Sequence, residues 1–128
     1  MKSRSSIVLA AAVGLAVSPV ACAGSPPVVQ QEINHLIAYI GNSGCDFKRN
    51  GAWNDAKAAQ THVRSKYDFL EKFGLINTTY DFIDKAATKS NLSGQPYEIK
   101  CGAELPIASS IWLGNELARY RASRQRLN

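Results

Sequence analysis

The chain is 128 residues long and carries 15 Lys and Arg against 10 Asp and Glu, a formal charge of +5. That length bounds it at one modest domain. The excess charge sits at the two ends, with Lys2 and Arg4 at the start and Arg119, Arg121, Arg124 and Arg126 in the last ten positions. The stretch between them is near neutral, which argues against the broad basic face with interleaved aromatics of a nucleic-acid-binding body.

Residues 1–23 read as an export signal. Lys2 and Arg4 form a positive n-region, Ile7 to Val17 is an apolar run, Pro19 breaks any helix, and Ala21-Cys22-Ala23 supplies the small residues of a cleavage site. The run is well short of the roughly 20 apolar residues of a spanning helix. Removal after Ala23 leaves no transmembrane segment and makes the protein periplasmic or secreted. The alternative is a lipoprotein whose acylated first residue is Cys22, although Pro19 stands where such signals usually carry a leucine-like residue. A flexible lead at residues 24–31 then opens onto a single small globular domain over 29–122, followed by a basic tail at 123–128. The arginines near the end suit a solvated helix terminus, where the macrodipole favours cations. Contact with an anionic membrane surface or a polyanion is the other reading.

Val29, Ile33, Leu36, Ile37 and Ile40 follow the i, i+3, i+4 rhythm of an amphipathic helix, which Gly41-Asn42-Ser43-Gly44 ends. Asn50-Gly51 is a turn signal, because both residues tolerate positive φ. With Asn54 as N-cap, a second helix runs to about Phe73, stopped by Gly74, and Ala56, Ala59, Val63, Tyr67 and Leu70 trace its apolar stripe. His62 flanks that stripe, placed to be half-buried and bonded to the backbone of the Asn-Gly corner. Thr78 or Thr79 caps a third helix, with Asp81 in a capping box and Phe82, Ile83, Ala86 and Ala87 inside. Ser93-Gly94-Gln95-Pro96 is a turn, and Tyr97 to Cys101 alternates as a short strand does. A last helix starts at Pro106 and carries Ile107, Ile111, Trp112, Leu113, Leu117 and Tyr120.

Three cysteines are present, and with Cys22 cut away or lipidated Cys45 and Cys101 remain as a pair. In an exported chain an even pair implies a disulfide. Pairing Tyr97–Cys101 with the segment Cys45–Arg49 brings the two together. There is no C-x-x-C spacing for redox chemistry, and two histidines with two distant cysteines show no metal-ligand spacing, so neither metal nor cofactor is expected. The expected fold class is mainly α: about four helices with one short β element, stapled by a single disulfide.

Several spaced elements, Phe47-x-Arg49-Asn50-Gly51, Ala59-x-x-His62-x-Arg64-x-Lys66-Tyr67, Phe82-Ile83, Ser90-x-x-Ser93-Gly94-x-Pro96-Tyr97 and Trp112-Leu113, resemble the YfeK-like family of small exported bacterial proteins. The resemblance covers most of the chain after the signal. It implies export and a shared fold, and imports no activity, because that family is a domain of unknown function. Val63 departs from the leucine expected after the histidine, a packing variation.

On chemical grounds the candidate binding residues are Arg49, Asn50, His62, Arg64 and Tyr97. Arginine offers a planar fork for a carboxylate or phosphate, and the corner can add backbone donors. The plainer alternative has Arg49 and His62 tying the corner to the helix while Asn50-Gly51 and Ser93-Gly94 serve as turns. An enzyme would take His62 as general base in a small hydrolase-like site. It lacks a good nucleophile and paired carboxylates, so no catalytic residue is assigned. The leading reading is a non-catalytic binding or interaction module for an anionic ligand or a protein partner of the cell envelope.

Overall fold

The computed structural model describes residues 3, 5–16 and 24–128. Lys2, Arg4, Pro19, the cleavage point after Ala23 and the acylation of Cys22 lie outside the described residues. Residues 5–16 take neither helix nor strand and are exposed.

The first helix, α1 (Pro27–Asn42), starts with Pro26 and Pro27 at its cap and first position, where a proline's missing N–H costs nothing. It begins inside the segment read as a flexible lead, and the lead itself is tied down. Ser25 is buried, its hydroxyl donates to Glu71 at 3.0 Å, and its carbonyl accepts from the Gln30 side chain at 2.6 Å. The expected apolar stripe is the buried face: Ile33, Leu36, Ile37 and Ile40 are almost wholly enclosed. Gly41 closes that face where Gln60 crosses it, and a Cβ there would meet the Gln60 side chain.

The expectation of a mainly α fold with one short β element is overturned. The described residues form four helices and a four-stranded antiparallel sheet, an α/β mixture. Strands β1 (Asp46–Arg49), β2 (Ala52–Asn54), β3 (Glu98–Lys100) and β4 (Ile107–Ala108) lie in the order β2-β1-β3-β4. Between β1 and β2, Asn50 and Gly51 have φ of 52° and 79°, the two positive values of a tight hairpin turn. The turn folds Ala52-Trp53-Asn54 back onto β1 in register, Lys48 opposite Trp53 and Arg49 opposite Ala52. Alanine and asparagine favour strands so weakly that pairing, not propensity, makes β2. At the other edge β4 takes two residues from the start expected for the last helix, which begins at Ser109 instead.

The central pair, β1 with β3, is the one the sequence pointed to, and Cys45 and Cys101 flank it, joined in a disulfide. Phe47 and Ile99 face each other across this pair and are buried in the core. One residue along, Lys48 and Glu98 are half-exposed and form an ion pair at 3.7 Å. This alternation gives the sheet one wet face and one face packed on helices.

The second helix, α2 (Ala56–Lys72), is capped by Asp55, whose carboxylate accepts from the Ala58 amide at 2.8 Å; the cap is one residue beyond Asn54. The short α3 (Thr79–Ala86) has the complete capping box of Thr78 and Asp81. The last helix, α4 (Ser109–Gln125), locks onto the others through two buried carboxylates. Glu32 of α1 accepts a forked pair from Arg121 at 2.6 and 2.9 Å and a third bond from the Thr79 hydroxyl at 2.6 Å. Glu116 is held by Arg119 and bonded to His35 at 2.8 Å. Their arginine partners, foremost, hold both carboxyls below the usual carboxylate range despite burial. Two of the four late arginines are thus bound to this chain's own acids, and α4 extends to Gln125, into the segment read as a basic tail.

Candidate functional site

Arg49 lies two residues beyond Phe47 on β1, so its side chain leaves the sheet on the same, helix-packed face. On α2, His62 and Lys66 are four apart and share one face of the helix. Tyr97, just before β3, is fixed at both backbone groups: its amide donates to the Thr88 carbonyl and its carbonyl accepts from the Ser109 amide, each at 2.9 Å. These three elements direct Arg49, His62, Lys66 and Tyr97 into one cleft of about 190 Å³, rimmed by Asn50 and Ser90.

Inside it the polar groups form a chain. Lys66 Nζ donates to the Tyr97 phenol oxygen at 3.2 Å and to the Lys89 carbonyl at 3.1 Å. The phenol hydrogen is then left for His62 Nε2, 3.1 Å away, which accepts it when the ring is neutral. Burial, the largest cause, and then the charges of Arg49 and Lys66 push the His62 pKa below its ordinary 6.5. Burial followed by Arg49 likewise lowers that of Lys66, while burial raises that of Tyr97. Among the described residues no carboxylate lines the cleft, and the Arg49 guanidinium makes no side-chain hydrogen bond or ion pair. Two cationic groups, Arg49 and Lys66, therefore meet beside an imidazole biased toward its neutral form, with no counter-charge.

A second, more apolar recess of about 50 Å³ opens beside it and shares Arg49, His62 and Tyr97 as walls. Ile40 and Phe47 line it with Ala58, Ala59 and Val63 of α2, and Lys48, Asn54 and Ser109 complete its wall.

The candidate residues divide as follows. Arg49, His62 and Tyr97 converge, and His62 bonds to Tyr97 rather than to the corner's backbone. Asn50 sits on the rim, its side-chain oxygen accepting from the Ser93 hydroxyl at 2.6 Å, so the two turns are tied together. Arg64 does not line the cleft: it donates to Asn34 of α1 at 3.0 Å and lies over the Tyr67 ring. Lys66, absent from the candidate set, takes its place, and the four-residue helical spacing from His62 was the signal for it. Neither turn serine is poised as a nucleophile, since Ser90 Oγ accepts from the amides of Leu92 and Ser93 while Ser93 Oγ is bonded to Asn50. No group of three metal-ligating side chains exists among the described residues, and no helix among them is long and apolar enough to cross a membrane.

No curated protein and no solved structure matches the chain. The model of a family of unknown function, DUF5329, matches residues 27–121, a span containing every residue of the cleft, and the chain belongs to that family.

Proposed function

We propose that this protein is an exported, non-catalytic binding module whose cleft takes a small anionic group, a carboxylate or phosphate. The observation that carries the reading is the convergence of Arg49, His62 and Lys66 without a carboxylate, with the Arg49 fork unengaged. Half-buried like charges repel one another until a partner of opposite sign arrives, and a planar guanidinium with an ammonium beside it suits an oxyanion. Calorimetric titration of the purified protein with inorganic phosphate and with acetate tests it. Binding is expected, and Arg49→Ala is expected to weaken it about tenfold or more, the usual scale for a charge-assisted hydrogen bond. Equal heats from wild type and variant with both anions would sink the proposal.

Export is part of the same reading, as is the likeness to YfeK-like envelope proteins. It is supported by the apolar run within residues 5–16, whose Ile7, Val8, Leu9, Val13 and Leu15 lie exposed, and by the disulfide. The intact mass of the protein recovered from expressing cells is expected to correspond to a chain beginning at Gly24. A mass retaining Cys22 with added lipid would mean the anchored form.

One observation favours a second reading, a small hydrolase-like enzyme: burial, with Arg49 and Lys66 nearby, biases the His62 ring toward the neutral form that a general base needs. With Ser90 and Ser93 both committed to turn bonds, such an enzyme would have to activate water. Loss of turnover in His62→Gln at unchanged anion affinity would support it.

A further inference from the structure

We infer that the anion bound by this cleft carries a short aliphatic group, making the ligand class a short-chain aliphatic acid with either a carboxylate or a phosphate-monoester head. The inference rests on the anion-binding reading and adds what the head is attached to. The cationic cleft and the apolar recess share Arg49, His62 and Tyr97, so an acidic group held at that seam has the recess directly beside it. Ile40 and Phe47, with Ala58, Ala59 and Val63 along α2, give the recess mainly apolar walls, which suit methyl and methylene groups better than a charge. This is the composition of a small-molecule site, apolar walls with a few convergent polar groups, and it fixes the ligand's direction: head toward Lys66, chain toward Val63.

Volume sets the length. A cavity of about 150 Å³ accommodates benzene, and this recess has about 50 Å³. It therefore holds roughly two or three carbons and excludes an aromatic ring. Two small residues create the space, because a leucine at position 59 would occupy it.

The test is a titration of the purified protein, by calorimetry and by methyl NMR, with acetate, propanoate, butanoate, octanoate and benzoate, and in parallel with inorganic phosphate and butyl phosphate. From acetate to butanoate the affinity is expected to rise about fourfold per methylene, the worth of one buried CH₂. It then levels off at octanoate, with benzoate weaker than butanoate. The Ile40 and Val63 methyl resonances move with butanoate and stay in place with acetate. Ala59→Leu removes the dependence on chain length while leaving acetate affinity intact, and if that variant does not fold, the wild-type methyl shifts decide. A tail-dependent gain in one series identifies its head group as the preferred one. If the anions bind through Arg49 but neither series gains from its tail and the methyl resonances stay still, the aliphatic inference is overturned and the anion site stands. If no anion binds, both fall together.

Discussion

At the scale of single residues, the cleft is a place where charge is held against its own preference. His62 has its pKa lowered by burial first and by Arg49 and Lys66 next, so the folded protein favours the neutral ring more than the unfolded chain does. The sign follows from linkage. A depressed histidine pKa contributes stability that is fully present above the unfolded value of 6.5 and is lost as pH falls through it toward the folded pKa. Thermal melts at pH 7.5 and 5.5 are expected to show a smaller loss of stability on acidification in His62→Gln than in wild type. Phosphate is expected to reduce the wild-type loss, because a bound anion favours the imidazolium. An unchanged pH dependence in the variant would mean that the ring titrates as it does in water. The spaced motif made Arg49, His62 and Tyr97 legible, since it carried their identities. It misled at Arg64, because residues two apart on a helix point to nearly opposite sides, and the partner of His62 had to be Lys66.

At the scale of elements, the Asn50-Gly51 hairpin is the device that aims Arg49. A Cβ at Gly51 would meet nothing within 4 Å, so the cost of Gly51→Ala is purely that of a φ of 79°. That substitution is expected to destabilise the fold by roughly 1–2 kcal/mol in denaturant melts. It is also expected to weaken anion binding, as Arg49 directly precedes the turn; unaltered stability would mean that the turn relaxes to another type. The turn itself was readable, yet the strand after it was not. Ala52-Trp53-Asn54 has no alternation, and Asn54 reads as the helix cap. The same ambiguity hid β4, where Pro106 promised a helix start while the backbone of Ile107 and Ala108 pairs with β3. Helices α1, α2 and α3 were legible because periodic burial and capping are local properties. A two- or three-residue strand is defined by its neighbour.

For the whole molecule, the Cys45–Cys101 bridge spans 56 residues and encloses α2 and α3. In the chain-entropy picture, closing such a loop stabilises by about 4 kcal/mol. That is a large part of the roughly 5–15 kcal/mol typical of a domain. Reduction, or a double Cys45→Ala and Cys101→Ala replacement, is expected to lower the melting temperature steeply and to loosen the cleft. A change of a degree or two would show that the packing of the helices, with Glu32–Arg121 and His35–Glu116 joining α1 to α4, already supplies most of the stability. The pairing of the cysteines could be read from the sequence, since the β1–β3 register joined two recognisable segments. The mixed fold class could not, because it rests on the edges of the sheet.

The β1–β3 contact also sets an order of assembly. The β1–β2 hairpin closes over two residues and α2 and α3 are built from neighbouring residues, so all can form within microseconds, while Phe47 must find Ile99 across more than fifty intervening positions. The cleft needs Arg49 from the early hairpin, His62 and Lys66 from a helix, and Tyr97 from the segment that arrives with β3. It comes into being only with that slow closure, so a ligand that fits it recognises chains in which the two halves of the sheet have already met.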